Sequence, residues 1–397
     1  MPSASPYDDG LLSPGTAGSD GIVSDVAVLD ALCVAELGYL RALVAVGLAP
    51  QSAAEALEAG LYDDGAPRAS ASDLALAARD GGNPVIPLIA ELKRLSPDAA
   101  AWVHRGATSQ DILDTALMLL ARRARELTLA RLEESVTALA SLADAHRGTV
   151  AAARTLTQHA VPTTYGLRFG TWLTALLDAR DALAAVPLPV QLGGAAGTLA
   201  SLVELGGLEK AIALPAAFAE ELRLDVPASP WHTNRAPVLA LGGALAGLTD
   251  VYGMIGANVA TLSRTEIGEL VGTSRGGSSS MPQKQNPVSG ILLRSLSLRA
   301  PGLVSTLHLA AASFVDERPD GAWHAEWPTL RELLRLAVGG ASLLIDALDV
   351  TVDLERVAHN EQLDDLRAEQ RSLGGSGGQY TGLSDHLIDL ALERARA

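Results

Sequence analysis

The chain has 397 residues, a formal net charge of −16 and a hydrophobic content of 48%. A chain this acidic is excluded as a general binder of nucleic acid or anionic membrane, and one this apolar is not a disordered protein. A single cysteine, Cys33, excludes both a disulfide framework and a thiolate-rich metal site.

Aromatic residues make up only 4%, so Ala, Leu and Val must build the core, a composition that suits close-packed helices. The opening MPSASPYDDG is acidic and has no apolar stretch of a secretory signal. The most apolar segment, Pro237 to Ser263, is broken by Asp250 and five glycines, a poor membrane span. A cytoplasmic protein is expected, with no membrane and no nucleic acid among its partners.

In chain order, three-and-four spacing of apolar residues from Asp25 to Gly47 predicts an amphipathic helix. Short pieces follow, broken by Gly60, Gly65, Pro67, Gly81-Gly82, Pro84, Pro87 and Pro97. Thr108 to Arg147 contains neither Gly nor Pro, and its periodicity predicts one rod of about 55–60 Å. Further long helices are predicted over Thr163–Val186, Ala236–Val271, Pro287–Phe314 with a kink or break at Pro301, and Trp327–Leu348. Strand signals are nearly absent, so the fold class is all-α. The domain reading is 1–102 as an N-terminal helical domain, 103–348 as a central long-helix bundle carrying a loop at 272–287, and 349–397 as a short C-terminal helical segment.

Cations persist where acids vanish. No Asp or Glu occurs between Asp144 and Asp178, between Asp225 and Asp250, or between Glu269 and Asp316, yet these windows hold Arg154, Arg168, Arg235, Arg275, Lys284, Arg294 and Arg299. Unpaired buried charges are costly, so cations kept without acids point to an anion site. Lys284 is one of three lysines against 27 arginines, which suggests a need for a compact ammonium.

Within the last window, Gly276-Gly-Ser-Ser-Ser-Met-Pro-Gln-Lys-Gln-Asn-Pro287 combines hydroxyls and free backbone N–H groups with a Lys and an Asn two residues apart. Trp323-His-Ala-Glu-Trp327 reads as packing and orientation, because His324 and Glu326 do not share a helix face. No HExxH, no phosphate loop and no histidine pair with ligand spacing occurs, so neither metal nor cofactor is expected.

This loop, with Val103-His-Arg-Gly-Ala-Thr-Ser-Gln-Asp111 and Arg154-Thr-Leu-Thr-Gln-His-Ala-Val-Pro-Thr-Thr164, resembles the signature segments of the fumarase/aspartase superfamily. The words TSQDILDTA, QHAVPTT, PWHTNR and GAWHAEW are most similar to its 3-carboxy-cis,cis-muconate cycloisomerase branch. The resemblance implies a three-domain all-α fold, from which this chain departs by a shortened C-terminal domain between His359 and Tyr380, and a homotetramer with active sites shared between subunits. It implies reversible addition or elimination beside a carboxylate of a small di- or tricarboxylate.

By position in the signature, Ser278 is the implied base and His159 the implied acid. The implied substrate contacts are Lys284 and Asn286, Thr108 and Ser109, Gln158, and in a second tier His104 and Arg235. Fumarases and adenylosuccinate lyases carry a His acid and its Glu partner where this chain has Leu156 and Ile291, which directs the reading to interconversion of 3-carboxy-cis,cis-muconate and carboxymuconolactone. The alternatives are a C–N lyase acting on a substituted succinate of the adenylosuccinate or nitrosuccinate type, and a non-catalytic member. Gln283 and Gln285 replace the usual His and Arg of the signature, and remove cationic character.

Overall fold

The first long helix starts where Ser24, in extended backbone, accepts the N–H of Ala27 on its hydroxyl at 3.2 Å. In this computed structural model, which describes residues 10–272, 284–318, 320–361, 364–375 and 380–396, the N-terminal helices are α1 (Asp25–Ala45), α2 (Gln51–Leu61), α3 (Ala71–Gly81) and α4 (Val85–Leu95). There follow α5 (Ser109–Ala145), α6 (Tyr165–Ala184), α7 (Ala200–Gly206), α8 (Leu208–Leu222) and α9 (Ala236–Leu262). The last are α10 (Val288–Ala311), α11 (Gly321–Leu348), α12 (Leu354–Glu361), α13 (Ala368–Ser372) and α14 (Ser384–Arg396). The fold is all-α, as expected, with three small antiparallel ladders among the described residues: β1 (Tyr62–Asp63) with β2 (Ala66–Pro67), β3 (Val150–Thr155) with β4 (Gln158–Thr164), and β5 (Leu270–Gly272) with β6 (Val350–Val352).

The predicted rod is α5, whose 37 residues span about 55 Å. Its first half is buried on nearly every side from Ile112 to Ala121; its second half buries Thr128, Leu132, Ser135, Val136, Leu139 and Ala143, a single stripe. Asp111 in its first turn accepts the Thr108 N–H at 3.0 Å, half of a capping box at the positive helix end.

Three expectations need correction. The helix expected from Thr163 begins at Tyr165, with Thr164 as its cap accepting the Leu167 N–H at 3.0 Å, and residues 150–164, where no strand was expected, form the β3–β4 hairpin. Alternation along Val150–Thr155 is masked by small residues, so the strands carried little apolar signal. The helix expected to reach Val271 stops at Leu262, because the chain turns at Gly268 (φ +63°) before entering β5. Pro301 breaks nothing: α10 runs through it, and Pro301 is exposed, so the carbonyl it leaves unpaired one turn back is on the solvent side.

The chain forms two compact units, each drawn from three segments: 1–126, 186–243 and 302–335 in the first, and 127–185, 244–301 and 336–397 in the second. In the first, α1 packs on α8, and Tyr39 meets Phe218 edge-on at 5.7 Å. In the second, the fully buried Tyr252 lies against Gly340, where a Cβ would come within 2.3 Å of its ring. The Tyr252 hydroxyl donates to the Ala337 carbonyl at 3.1 Å. Helix α9 is long and apolar enough to cross a membrane, but half of its most apolar window is buried within the protein, as in a core helix.

Candidate active site

The first motif lies in the first unit, on the turn from Val103 to Ser109 that leads into α5. His104 has φ +61° and Gly106 has φ +84°, so the chain doubles back here. At Gly106 a side chain would be excluded, since its Cβ would fall 2.8 Å from Leu202. The turn is held from several sides. The Tyr39 hydroxyl donates to the Arg105 carbonyl at 2.7 Å, and His104 Nδ1 pairs with Glu36 Oε1 at 2.6 Å. Arg318 Nη1 donates to Thr108 Oγ1 at 2.6 Å and bonds the carbonyls of Gly194 and Ala195. Asp111, fully buried, also accepts the N–H groups of Gly193 and Gly194 at 2.9 and 3.0 Å and pairs with His232 at 2.8 Å. Thr108 and Ser109 are therefore pre-placed at a helix N-terminus.

Arg235 is in the same unit but is not an anion site. Its side chain has zero exposure and is paired with Asp114 at 2.8 Å and Glu326 at 2.6 Å. Its guanidinium also lies 4.8 Å from the Trp231 ring. Asp114 is satisfied in turn by Trp323 Nε1 at 2.9 Å and Gln110 at 3.2 Å. Burial opposes the Arg235 charge, but the two carboxylates outweigh it and hold its pKa above the ordinary value. Every donor is engaged within the fold, so the expected substrate contact is corrected to a structural cation. Glu326, read from sequence as an orienting residue, is one of its partners.

The second motif is the hairpin of the second unit. Thr155 pairs with Gln158, leaving Leu156 and Thr157 as the two-residue turn, both at positive φ (+49° and +71°). That is the primed turn that matches strand twist, yet it is built from residues that dislike the left-handed region. Leu156 is 96% exposed, and Gln158 and His159 are also exposed. Their backbone is anchored by Arg154, which pairs with the buried Glu269. Glu269 further accepts from Tyr165 at 2.6 Å and Asn360 at 2.6 Å, and lies 3.6 Å from Arg168. It directly precedes β5, so one carboxylate ties the hairpin to the strand that leads to the signature segment.

Burial raises the Glu269 pKa, but the bonds from Arg154, Tyr165 and Asn360 outweigh it and set it below the ordinary value. A carboxyl depressed on folding contributes stability above its unfolded pKa of about 4.3, and loses it as pH falls through the lower folded value. Glu269→Gln is therefore expected to be less stable than the parent at neutral pH, with the gap closing in acid. Urea unfolding between pH 3 and 7 checks this; a gap that is constant with pH refutes it.

The third motif is described only in part. Ser278 lies outside the described residues, as do Gln283 and residues 273–282. The chain is described again from Lys284, which with Gln285, Asn286, Pro287 and Ile291 lines a cavity of about 690 Å³ in the second unit. Ser263, Arg264, Glu266 and Val271 line it as well, and the Ser263 hydroxyl is buried without a partner among the described residues. The cavity abuts the first turn of α10, where the helix dipole favours an anion. Lys284 and Asn286 are thus brought together. His104, Thr108, Ser109, Gln158, His159 and Arg235 are not among the residues that line this cavity.

A lyase family model matches residues 31–302, well over half of the chain. The chain belongs to the fumarase/aspartase superfamily of lyases. This lyase is 44% identical over 375 residues to nitrosuccinate lyase of Streptomyces davaonensis, covering 91% of this chain and 78% of that one. It is 40% identical over 391 residues to 3-carboxy-cis,cis-muconate cycloisomerase of Pseudomonas aeruginosa, covering 94% and 82%. The crystal structure of 3-carboxy-cis,cis-muconate lactonizing enzyme from Pseudomonas putida superposes with a TM-score of 0.83 at 34% identity, covering 97% of this chain and 87% of that one. The all-α superfamily fold and an enzyme of the lyase or cycloisomerase type are thereby shown.

Four residues that line the cavity or anchor the motifs carried no signal in the sequence reading. Arg264 and Ser263 sit close to Glu266 and so fell outside the acid-free windows. Glu36 and Glu269 are lone acids in apolar surroundings; a charge kept at zero exposure was the available signal.

Proposed function

We propose that this lyase is a cofactor-free homotetramer of the cytoplasm. It interconverts 3-carboxy-cis,cis-muconate and carboxymuconolactone by reversible addition and elimination beside a carboxylate. The observation that carries the reading is the cavity at the N-terminus of α10, lined by Lys284, Asn286 and Arg264 and by the apolar Ile291. Superfamily members with a His acid carry its Glu partner at that last position, and an Ile cannot fill the role.

In the elimination direction Ser278, as base, takes the proton from the carbon next to the carboxylate. The electron pair moves into that carboxylate, which Lys284 and Asn286 hold, and the C–O bond then breaks. Thr108, Ser109 and Gln158 position the substrate, and His159 serves the departing oxygen. Because the cavity gathers only one of the three motifs, the others are to be supplied by neighbouring subunits.

A second reading, release of fumarate-type products from a nitrosuccinate-like substrate by C–N cleavage, is favoured by the 44% identity to nitrosuccinate lyase. Ultraviolet absorbance assays with carboxymuconolactone, nitrosuccinate and adenylosuccinate decide between the readings. Turnover of nitrosuccinate alone overturns the first; turnover of none overturns both. On the active substrate, Ser278→Ala is expected to lower kcat about 10²-fold or more with the fold intact by circular dichroism. Retained activity would remove Ser278 from the mechanism.

The tetramer is supported by α10, which exposes Val288, Ile291, Leu298 and Leu309, spaced to lie on one helix face. On α9, Gly243 and Gly247 have nothing opposite them within 4 Å. Light scattering is expected to give four times the chain mass of 41.0 kDa. A monomer at micromolar concentration refutes the shared site.

A further inference from the structure

In α1, an apolar helix, Glu36 is the one charged residue at zero exposure. A lone carboxylate at that depth is retained at a cost of several kcal/mol unless it is paired. Its pair is His104: Oε1 takes Nδ1 at 2.6 Å, while Oε2 has no partner among the described residues. One turn along the same face, Tyr39 binds the Arg105 carbonyl. The i, i+3 pair Glu36 and Tyr39 therefore underpins two successive residues of the motif turn, one by charge and one by a neutral hydrogen bond.

His104 itself is held in the left-handed region, φ +61°, and its side chain keeps 18% exposure. No hydrogen bond engages its Nε2 among the described residues. A buried carboxylate on Nδ1 holds that ring proton and fixes the ring plane, so Nε2 carries a second proton, and donates, in the imidazolium form. Four residues on, Thr108 caps α5: its hydroxyl oxygen accepts from Arg318 and its N–H donates to Asp111. The imidazole is thus a side chain of the turn that the fold orients through one nitrogen and leaves open at the other.

We propose that Glu36 is a positioning residue for this site: it locks His104 by Nδ1 so that Nε2–H is offered to a carboxylate of the substrate. The assignment rests on the addition–elimination reading above only for the identity of that carboxylate. Electrostatics agree with the geometry. Burial works against the His104 charge, but Glu36 and, beyond it, Asp111 of α5 outweigh both burial and Lys93 of α4, and the imidazole titrates above its ordinary value. Glu36 thus favours the imidazolium, the form in which Nε2–H donates, and a cation suits an anionic ligand.

Glu36→Gln tests this, because glutamine keeps a hydrogen-bonding oxygen beside Nδ1 and removes the charge. Histidine C2–H exchange read by mass spectrometry reports the His104 pKa in the intact assembly, with and without fumarate as a probe. In the parent, fumarate is expected to raise that pKa further. In Glu36→Gln the pKa is expected to fall by about 1–2 units, and the alkaline limb of kcat/KM to move down with it, leaving activity at low pH largely restored.

Tyr39→Phe, which removes support of the turn but no charge, is expected to leave the alkaline limb in place. An unchanged His104 pKa in Glu36→Gln overturns the proposal. So does a lowered pKa with an unmoved limb, or a Tyr39→Phe enzyme whose limb shifts equally. If none of the candidate substrates is turned over, the functional reading fails while the exchange arm still decides. Absence of any fumarate effect on His104 then overturns the carboxylate contact.

Discussion

Arg235→Met is expected to lower unfolding stability by about 3–5 kcal/mol, because it strands two carboxylates, Asp114 and Glu326, at zero and near-zero exposure. Methionine fills most of the volume, so the loss reports charge rather than a cavity. The partner changes should behave differently. Arg235→Met combined with Asp114→Asn and Glu326→Gln removes the whole set of charges and is expected to recover much of the loss. Urea unfolding at fixed protein concentration measures the parent, the single variant and the triple variant. A loss below about 1 kcal/mol in the single variant, or no recovery in the triple, would return Arg235 to the pool of residues free to bind substrate. The outcome matters for function because PWHTNR carries Arg235 in an acid-free window, and only the pairing distinguishes a structural cation from an anion-binding one.

For Lys284→Met the expected result is a loss of about 2–5 kcal/mol in kcat/KM, the scale for removing one partner of a desolvated charge pair. Lys284 lines the 690 Å³ cavity with Asn286 at the first turn of α10, in a stretch without acids from Leu270 to Val315. Arg264 lines the same cavity, so part of the positive field survives the substitution, which sets the lower end of the range. Lys284→Arg is expected to rescue only in part, since a planar fork does not reproduce a point charge. Steady-state kinetics on the substrate identified by absorbance checks both. Full activity in the Met variant removes the carboxylate from this cavity; full activity in the Arg variant removes the argument from the rarity of lysine.

How much of this was legible beforehand can be followed residue by residue. The spacing of Leu132, Val136 and Leu139 announced a buried stripe on a rod, and α5 carries it. The three motifs were legible as local words, and so was the membership they imply. The hairpin at 150–164 was not, because small and polar residues on its strands hide the two-residue period, and Leu156-Thr157 lacks the glycine or asparagine that a primed turn usually shows.

Periodicity, composition and motif order determined that this is an all-α lyase of a known superfamily, because helix faces and signature words are properties of neighbouring residues. Which charges are free was decided only by the tertiary structure. Arg235 and Lys284 look alike in sequence, each a cation in a run without acids. Their difference comes from chain segments more than 90 residues away in the case of Glu326, and more than 120 in that of Asp114. Glu36 and His104, 68 residues apart, become a dyad for the same reason. Desolvation forces a buried charge to find a partner, and the partner is set by packing, which no local pattern encodes.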